Sequence, residues 1–439
     1  MIYLTLFLFI IAISLAFVVG WQVGRTRPQA SAPLTPTVSF EITIPADTPP
    51  GDPLYLTGSF NNWHPADATF LLTRTADLAT GAWIFTPGMT LEYKITRGSW
   101  QTVEKGVGSL EIGNHLATAT AGTVVTGKVL SWADILYREE AIYDPRIERV
   151  DFASATLGVT RTFYIYLPPE VRSDETLRVP SVYLLRGHER EWVNKSEDSS
   201  RAGERNVIDV YEELRAVNAI GPLVFVFPGL TSANGAVHSL GINMHAPDLA
   251  QDKSLGTGRF EDYFFKDLIP YVETNYPVLF GGAHRAVDGF SLGGFMSVNL
   301  ALRQPGQFSS VGAYDGLYFW DDPATGTTIA ITDTVFNRSL FDPNFGVPRD
   351  REFAAQNNPL TLLRTDGVAA SRLQWLIEYG PQPAEPNVNY FRGVRLDELL
   401  QEVGATNRLS GVLADGIHTW EMADEHMRRA LPLHWERIK

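Results

Sequence analysis

Hydrophobic and polar residues change their pattern twice along this chain of 439 residues. An uncharged apolar run extends from Ile2 to Trp21, and a stretch rich in Pro, Ala, Ser and Thr follows at 26–37. From residue 38 to about 130, short segments alternate apolar and polar side chains by twos, with turn residues between them. Beyond residue 150, short apolar segments typical of buried strands alternate with segments whose apolar residues recur at the helical period. The pattern predicts an apolar N-terminal helix, a small β-rich domain and a larger domain of strands and helices.

The larger domain is expected to contain a parallel sheet covered by helices on both faces, because its predicted strands and helices alternate. The predicted strands are Arg161–Leu167, Ser181–Leu185, Leu223–Phe227, Ala286–Asp288, Leu373–Tyr379 and Leu409–Leu413. The predicted helices are Val207–Ala216, Tyr263–Asn275, Leu292–Arg303, Phe391–Val403 and Thr419–Leu431. Residues 321–358, rich in Asp, Asn, Thr and Pro, are expected to form an irregular insertion.

The domain boundaries follow from these changes in pattern. Residues 1–25 form the apolar segment, 26–37 and 131–150 are linkers, 38–130 form a β-sandwich, and 151–439 form the α/β domain. The apolar segment is long enough to span a bilayer as a helix. The alternatives are a signal peptide cleaved near Ala30-Ser31-Ala32 and a buried core helix. Either membrane interpretation places the remaining chain outside the cytoplasm, although Arg25 and Arg27 favour the opposite orientation.

Composition removes several classes of function. The chain contains no cysteine, which excludes disulfides, thiolate metal sites and a cysteine nucleophile. Its net charge is −14, and this disfavours nucleic acid as a partner, because phosphates require basic surfaces. We expect neither a metal ion nor a cofactor.

One motif indicates nucleophilic catalysis. Gly289–Gly293 (GFSLG) matches G-x-S-x-G, follows an apolar strand and opens a helix, which is the arrangement that exposes a serine in α/β-hydrolases. Ser291 is therefore the predicted nucleophile. Its backbone neighbour Leu292 should donate one N–H group to the oxyanion, and His188, in the loop after Ser181–Leu185, should donate the other.

The general base and its acid should follow Ser291 in the chain. His418 lies in a loop after the last predicted strand and is the predicted base, whereas His426 and His434, on or near the final helix, are expected at the surface. Glu385, beyond the strand at 373–379, is the predicted acid, and Glu378 is the alternative. Asp397 is expected on a helix facing solvent.

Residues 150–435 resemble a group of esterases that includes enterochelin, feruloyl and S-formylglutathione esterases and the mycolyltransferases. The resemblance rests on Arg161–Pro169 (RTFYIYLPP), Asp288–Gly294 (DGFSLGG) and His418 with Trp420. It implies an α/β-hydrolase fold with Ser291 as nucleophile and His418 as base. The chain departs from the group at Arg186-Gly187, where the group has His-Gly, and in the Pro-rich stretch before Glu385.

The β-sandwich resembles starch-binding modules of the glucoamylase type and glycogen-binding modules. Gly58–Trp63 (GSFNNW), Glu92–Ile95 (EYKI) and Trp100 carry the likeness. It implies an exposed platform of Trp63 and Trp100 for an α-glucan, with Lys94 and Asn114 as polar contacts, because sugar rings stack on aromatic faces. The alternative is that these tryptophans belong to the core of the sandwich.

Together these features predict a membrane-anchored or secreted serine esterase. Its expected substrate is an ester, with an acylated carbohydrate as the expected class. An acyltransferase that uses a sugar acceptor is one alternative, since it needs the same triad. A non-catalytic glycan-binding protein on a hydrolase scaffold is the other.

Overall fold

The computed structural model describes residues 37–439 except 46–47, 107–111, 135–143, 196, 198–199, 202–204, 234, 236 and 382–388. The predicted apolar segment 1–25 and Glu385 lie outside the described residues. Within the described part of the chain, no helix has the length and apolar character that crossing a membrane requires.

The structure describes nine strands in the first domain. They are β1 (Thr37–Thr43), β2 (Leu54–Gly58), β3 (Leu71–Thr75), β4 (Leu78–Ile84), β5 (Thr90–Thr96), β6 (Glu104–Lys105), β7 (His115–Thr118), β8 (Val124–Lys128) and β9 (Ser131–Trp132). Seven of them form one hydrogen-bonded series in the order β7-β5-β2-β3-β4-β1-β8, and β6 pairs with β9. Phe40 on β1 meets Tyr93 on β5 edge-on, with 5.3 Å between ring centres. The two ends of the series therefore pack face to face around an apolar core.

The second domain contains an eight-stranded sheet in the order β10-β11-β13-β12-β14-β15-β16-β17. The strands are β10 (Ile147–Ser154), β11 (Val159–Tyr166), β12 (Ser181–Leu185), β13 (Val224–Pro228), β14 (Arg285–Gly289), β15 (Ser310–Tyr314), β16 (Gln374–Tyr379) and β17 (Arg408–Val412). Strands β10 and β11 are antiparallel to their neighbours, and the other strands are parallel. This sheet confirms the predicted α/β-hydrolase fold.

Helices cover the sheet on both faces and bury two separate apolar clusters against it. They are α1 (Pro169–Ser173), α2 (Val207–Ala216), α3 (Phe260–Asp262), α4 (Ile269–Asn275), α5 (Leu292–Arg303), α6 (Asp342–Phe345), α7 (Arg351–Ala355), α8 (Pro359–Asp366), α9 (Tyr390–Glu402) and α10 (Trp420–Ile438). A π-helical segment, Tyr263–Leu268, joins α3 to α4. The predicted insertion at 321–358 contains the short helices α6 and α7, which the buried Phe341 and Phe345 anchor.

A buried charge cluster joins the middle of the sheet to α10. Asp288 on β14 accepts hydrogen bonds from Nε2 of His426 at 3.1 Å and from Nε2 of His434 at 3.0 Å. Nδ1 of His426 donates to Glu378 on β16 at 2.7 Å, and Arg429 donates to the same carboxylate. The prediction that His426 and His434 lie at the surface is wrong, since both are fully buried. The helix periodicity could not show that α10 turns these two rings toward a carboxylate of the sheet.

His426 and Asp288 are both charged, because the effect of their ion pairs on each pKa outweighs the effect of burial. Burial alone would lower the pKa of His426, but Asp288 and Glu378 raise it to about 9. Burial alone would raise the pKa of Asp288, but His426 and His434 lower it to about 2. At neutral pH the protein therefore contains a buried imidazolium between two carboxylates.

We expect His426→Gln to reduce the free energy of unfolding by about 3 kcal/mol at pH 6, because it leaves buried carboxylates without their cation. The folded-state pKa of His426 lies above the unfolded value, so its stabilisation is complete below about pH 6.5 and is lost as the pH rises through 9. Denaturant unfolding at pH 6, 7.5 and 9 should show the difference from wild type shrinking. His245→Gln, at an exposed histidine, should show no such trend, and a difference independent of pH would contradict the prediction.

Candidate active site

Ser291 lies at a sharp turn between β14 and α5. Its backbone has φ 57° and ψ −114°, a region that non-glycine residues rarely occupy. The Ser291 N–H donates to the carbonyl of Tyr314 at 2.9 Å, and the N–H groups of Phe295 and Leu317 donate to the Ser291 carbonyl at 3.1 and 3.2 Å. Neighbouring backbone thus holds the strained residue from both sides.

The two flanking glycines are required by close backbone approach. A Cβ atom at Gly293 would lie 1.8 Å from the carbonyl oxygen of Leu185 on β12, and one at Gly289 would lie 2.2 Å from the Gly293 backbone. These contacts press the start of α5 against β12. The G-x-S-x-G spacing therefore has a steric cause in this chain.

His418 lies in the loop between β17 and α10, and two contacts orient this loop. The Tyr314 hydroxyl donates to the carbonyl of Ile417 at 2.7 Å. The imidazole of His418 packs against the ring of Phe290, the residue before Ser291, with 4.7 Å between ring centres. His418 and Ser291 line the same cavity.

Asp315 is the carboxylate that contacts His418. Nδ1 of His418 donates to Oδ2 of Asp315 at 2.5 Å, and the N–H of Asn389 donates to Oδ1 at 2.8 Å. Asp315 is fully buried and follows β15 directly, with φ 47°. Its own N–H donates to the carbonyl of Glu378 on β16 at 2.8 Å. Both carboxylate oxygens therefore have partners, and one of them fixes the orientation of His418.

Sequence reasoning missed Asp315. The predicted acid Glu385 lies outside the described residues, and the alternative Glu378 binds His426 and Arg429 instead. Asp397 accepts from Arg408 at 2.8 Å. The signal that could have identified Asp315 is an Asp-Gly pair directly after a buried strand, since aspartate tolerates positive φ better than most residues.

The predicted oxyanion donors differ in their surroundings. Leu292 is the first residue of α5, so its N–H has no acceptor within the helix. The N–H of His188 donates to Oε2 of Glu191 at 2.5 Å, and this amide can reach an oxyanion only after the carboxylate releases it. The imidazoles of His188 and His238 are neutral, because burial and neighbouring arginines, Arg190 for His188 and Arg186 for His238, lower the pKa of each to about 3.

Both domains line the cavity above Ser291, whose volume is about 690 Å³. Trp63, Lys94, Trp100 and Asn114 of the first domain all contribute to its wall. The expected exposed platform is wrong for Trp63, which is only 4% exposed. The reason is that the second domain covers this face: Arg338 lies over the Trp63 ring, 5.3 Å from its centre.

The polar residues predicted beside the platform already have partners. Nζ of Lys94 donates to the carbonyl of Ile112 at 2.6 Å, and Nδ2 of Asn114 donates to Glu92 at 3.4 Å. Burial, together with the charge of Arg338, lowers the pKa of Lys94 to about 8. Among the described residues, no group of three or more His, Asp or Glu side chains is arranged to hold a metal ion.

The second domain is similar to known esterases. Residues 154–344 match the model of the Esterase family, described as "Putative esterase". A ferulic acid esterase structure is similar with 18% identity and a TM-score of 0.50, over 67% of this chain and 99% of that one. An S-formylglutathione hydrolase from Agrobacterium tumefaciens is 18% identical over 67% of this chain and 95% of that one, with a TM-score of 0.47. Residues 154–344, which include Ser291 and Asp315, are thus similar to the Esterase family.

A second similarity covers a shorter part of the chain. A segment of 117 residues is 41% identical to an alpha-amylase of Niallia circulans, which amounts to 26% of this chain and 9% of that protein. The chain therefore spans less than a tenth of that relative's length.

We expect Gly293→Ala to prevent stable folding or to abolish the nucleophile, because its Cβ would overlap the carbonyl of Leu185. Thermal melting and phosphonate labelling of Ser291 would measure the two effects. Gly411→Ala is the matched control, since nothing lies within 4 Å of a Cβ at that position. Normal melting and labelling of Gly293→Ala would contradict the close approach of α5 to β12.

Proposed function

We propose that this chain, whose residues 154–344 match the Esterase family, is a serine esterase with the triad Ser291, His418 and Asp315. The contact between His418 and the buried Asp315 carries the proposal, because His418 lines the same cavity as Ser291. A serine hydroxyl needs a base to become nucleophilic, and a histidine needs a partner that fixes its tautomer. We assign the first role to His418 and the second to Asp315.

In the first half-reaction, Oγ of Ser291 attacks the ester carbonyl carbon while Nε2 of His418 takes the hydroxyl proton. The carbonyl oxygen becomes an oxyanion, to which the N–H of Leu292 donates. When the ester C–O bond breaks, His418 returns the proton to the departing alcohol, and the acyl group stays on Ser291. Asp315 keeps its charge throughout and stabilises the imidazolium.

The second half-reaction repeats the sequence with water. His418 takes a proton from water as the oxygen attacks the acyl carbon, and it then protonates Oγ of Ser291 as the acyl–enzyme bond breaks. A carboxylic acid leaves and the serine is restored. No external oxidant, reductant or metal ion is consumed in this cycle.

We infer that the physiological ester is an acylated carbohydrate. The segment similar to an alpha-amylase and the likeness of residues 38–130 to starch-binding modules support this inference. The cavity adds a physical argument, because Trp100, packed against the buried Trp63, lines the same space as Ser291.

We also propose that the enzyme acts outside the cytoplasm, held by its N-terminal segment or released after cleavage. The support is the uncharged run from Ile2 to Trp21, which has the length of a bilayer-spanning helix.

The acid assignment can be tested by substitution. Asp315→Asn should lower kcat on 4-nitrophenyl acetate by about 10³- to 10⁴-fold, because an amide cannot support the productive tautomer of His418. Asparagine also tolerates positive φ, so melting should stay close to wild type. Ser291→Ala sets the inactive baseline. Asp397→Asn is the control that should retain activity.

The same series includes the residue favoured by the sequence. If Glu385→Gln abolished turnover while Asp315→Asn left it unchanged, the triad proposed here would be wrong in its acid.

The location can be tested with a single engineered thiol, because the chain has no cysteine of its own. Val217 is 72% exposed, and we expect Val217→Cys in the full-length protein to react with a membrane-impermeant maleimide on intact spheroplasts. The wild-type chain is the unlabelled control. Labelling only after lysis would refute the extracytoplasmic location.

A further inference from the structure

The two domains meet directly above the nucleophile. The N–H of Ser339 donates to the carbonyl of Asn62 at 2.7 Å, and the Gln101 side chain donates to the carbonyl of Gly235. Arg338 covers the ring of Trp63. These contacts fix the aromatic face of the first domain against the esterase domain, so that it borders the cavity rather than bulk solvent.

Trp63 is held in a conformation that few bulky residues adopt. Its φ is 60°, and the preceding Asn62 has φ 53°. A non-glycine residue in this region is strained, and such strain persists where surrounding contacts enforce it. The enforcing contacts here are Arg338 above the ring and Trp100 beside it, with 6.2 Å between ring centres.

Three buried donors of the cavity wall have no hydrogen-bond acceptor among the described residues. They are Nε1 of Trp100, Nε of Arg338 and Nε of Arg186; the last lies 3.9 Å from Glu191, beyond hydrogen-bond distance. A buried donor without an acceptor is unfavourable, because it has lost its hydrogen bonds to water. A ligand that supplies acceptor oxygens would recover this free energy.

An aromatic face beside hydrogen-bond donors that have no acceptor indicates which class of ligand this wall would bind. A saccharide presents apolar C–H faces that stack on indole rings, and its hydroxyl oxygens accept hydrogen bonds. An apolar acyl chain would leave the three donors unsatisfied. The arrangement therefore favours the sugar side of an acylated saccharide.

We propose that Trp100 and Arg338, which pack against the buried ring of Trp63, form a sugar subsite inside the catalytic cavity, which positions the alcohol portion of a soluble acylated oligosaccharide for attack by Ser291. This inference rests on the esterase activity proposed above. It differs from a remote starch-binding platform, because a ring that is 4% exposed cannot lie flat on the surface of an insoluble polymer. The substrate enters the space between the domains.

Substrate discrimination tests the subsite in the intact chain. Acetylated maltoheptaose and 4-nitrophenyl acetate share an acyl group and differ in the alcohol. Trp100→Ala and Arg338→Gln should each lower the ratio of kcat/KM for the sugar ester to kcat/KM for the aryl ester about tenfold. The loss should appear mainly as a higher KM for the sugar ester. The subsite contacts the sugar equally in the ground state and in the transition state, so its removal weakens binding and leaves kcat nearly unchanged.

Trp83→Ala is the matched control. This indole belongs to the same domain but packs against Phe40 and Phe70 and does not line the cavity. Its removal should lower the melting temperature without changing the ratio. An equal loss on both esters in Trp100→Ala would show a structural role and overturn the subsite.

Protection of the nucleophile provides a readout that does not depend on turnover. Maltoheptaose should slow phosphonate labelling of Ser291 in wild type and in Trp83→Ala, but not in Trp100→Ala. Normal labelling that maltoheptaose does not slow would overturn the subsite alone. Absence of both labelling and ester hydrolysis would overturn the esterase proposal together with the subsite.

Discussion

The carboxylate of Asp288 fixes the relative positions of the elements that carry the proposed triad. Asp288 lies on β14, three residues before Ser291, and accepts from His426 and His434 on α10. The loop with His418 leads directly into α10, and Glu378, which binds His426, also accepts the Asp315 N–H through its carbonyl. A shift of any one element would separate a buried charge from its partner, which is strongly unfavourable.

Close packing around this carboxylate restricts the neighbouring strand. A Cβ at Gly312 on β15 would lie 1.9 Å from Oδ2 of Asp288, so the strand that ends at Asp315 must carry a glycine there. The cluster thus fixes which buried charges pair with each other, and it also fixes how closely β14 and β15 approach beneath the cavity. Catalytic geometry at the carboxyl edge of the sheet depends on polar contacts buried in its middle, where no substrate reaches.

Local patterns were sufficient for much of the fold. The predicted bounds of α2 and α5 agree with the structure, and the buried strands β12 and β16 agree within one residue, because continuous apolar runs and helical periodicity are local signals. Ser291 and His418 emerged from a motif and from chain order. The acid did not, because the expected order placed it after β16, whereas His418 contacts Asp315 after β15. Which loop reaches the histidine is a tertiary property.

The role of the aromatic face was the other property that sequence could not supply. Trp63 and Trp100 have the residue types of a sugar platform, but their exposure depends on a domain contact between Asn62 and Ser339, which are 277 positions apart in the chain. A module pattern shows which rings can stack on sugar, not whether another domain covers them. The face predicted to meet solvent instead borders the cavity of Ser291.

Backbone strain occurs at three residues of the site. Trp63, Ser291 and Asp315 all have positive φ. Trp63 and Ser291 line the cavity, and Asp315 contacts His418, which also lines it. Each residue is fixed by contacts from elements distant in sequence: Arg338 for Trp63, Tyr314 for Ser291, and Asn389 for Asp315. Strain of about 1–3 kcal/mol at each position is tolerated because packing elsewhere overdetermines the conformation. The packing of both domains therefore holds an aromatic ring, a nucleophile and the carboxylate that orients His418 at one site.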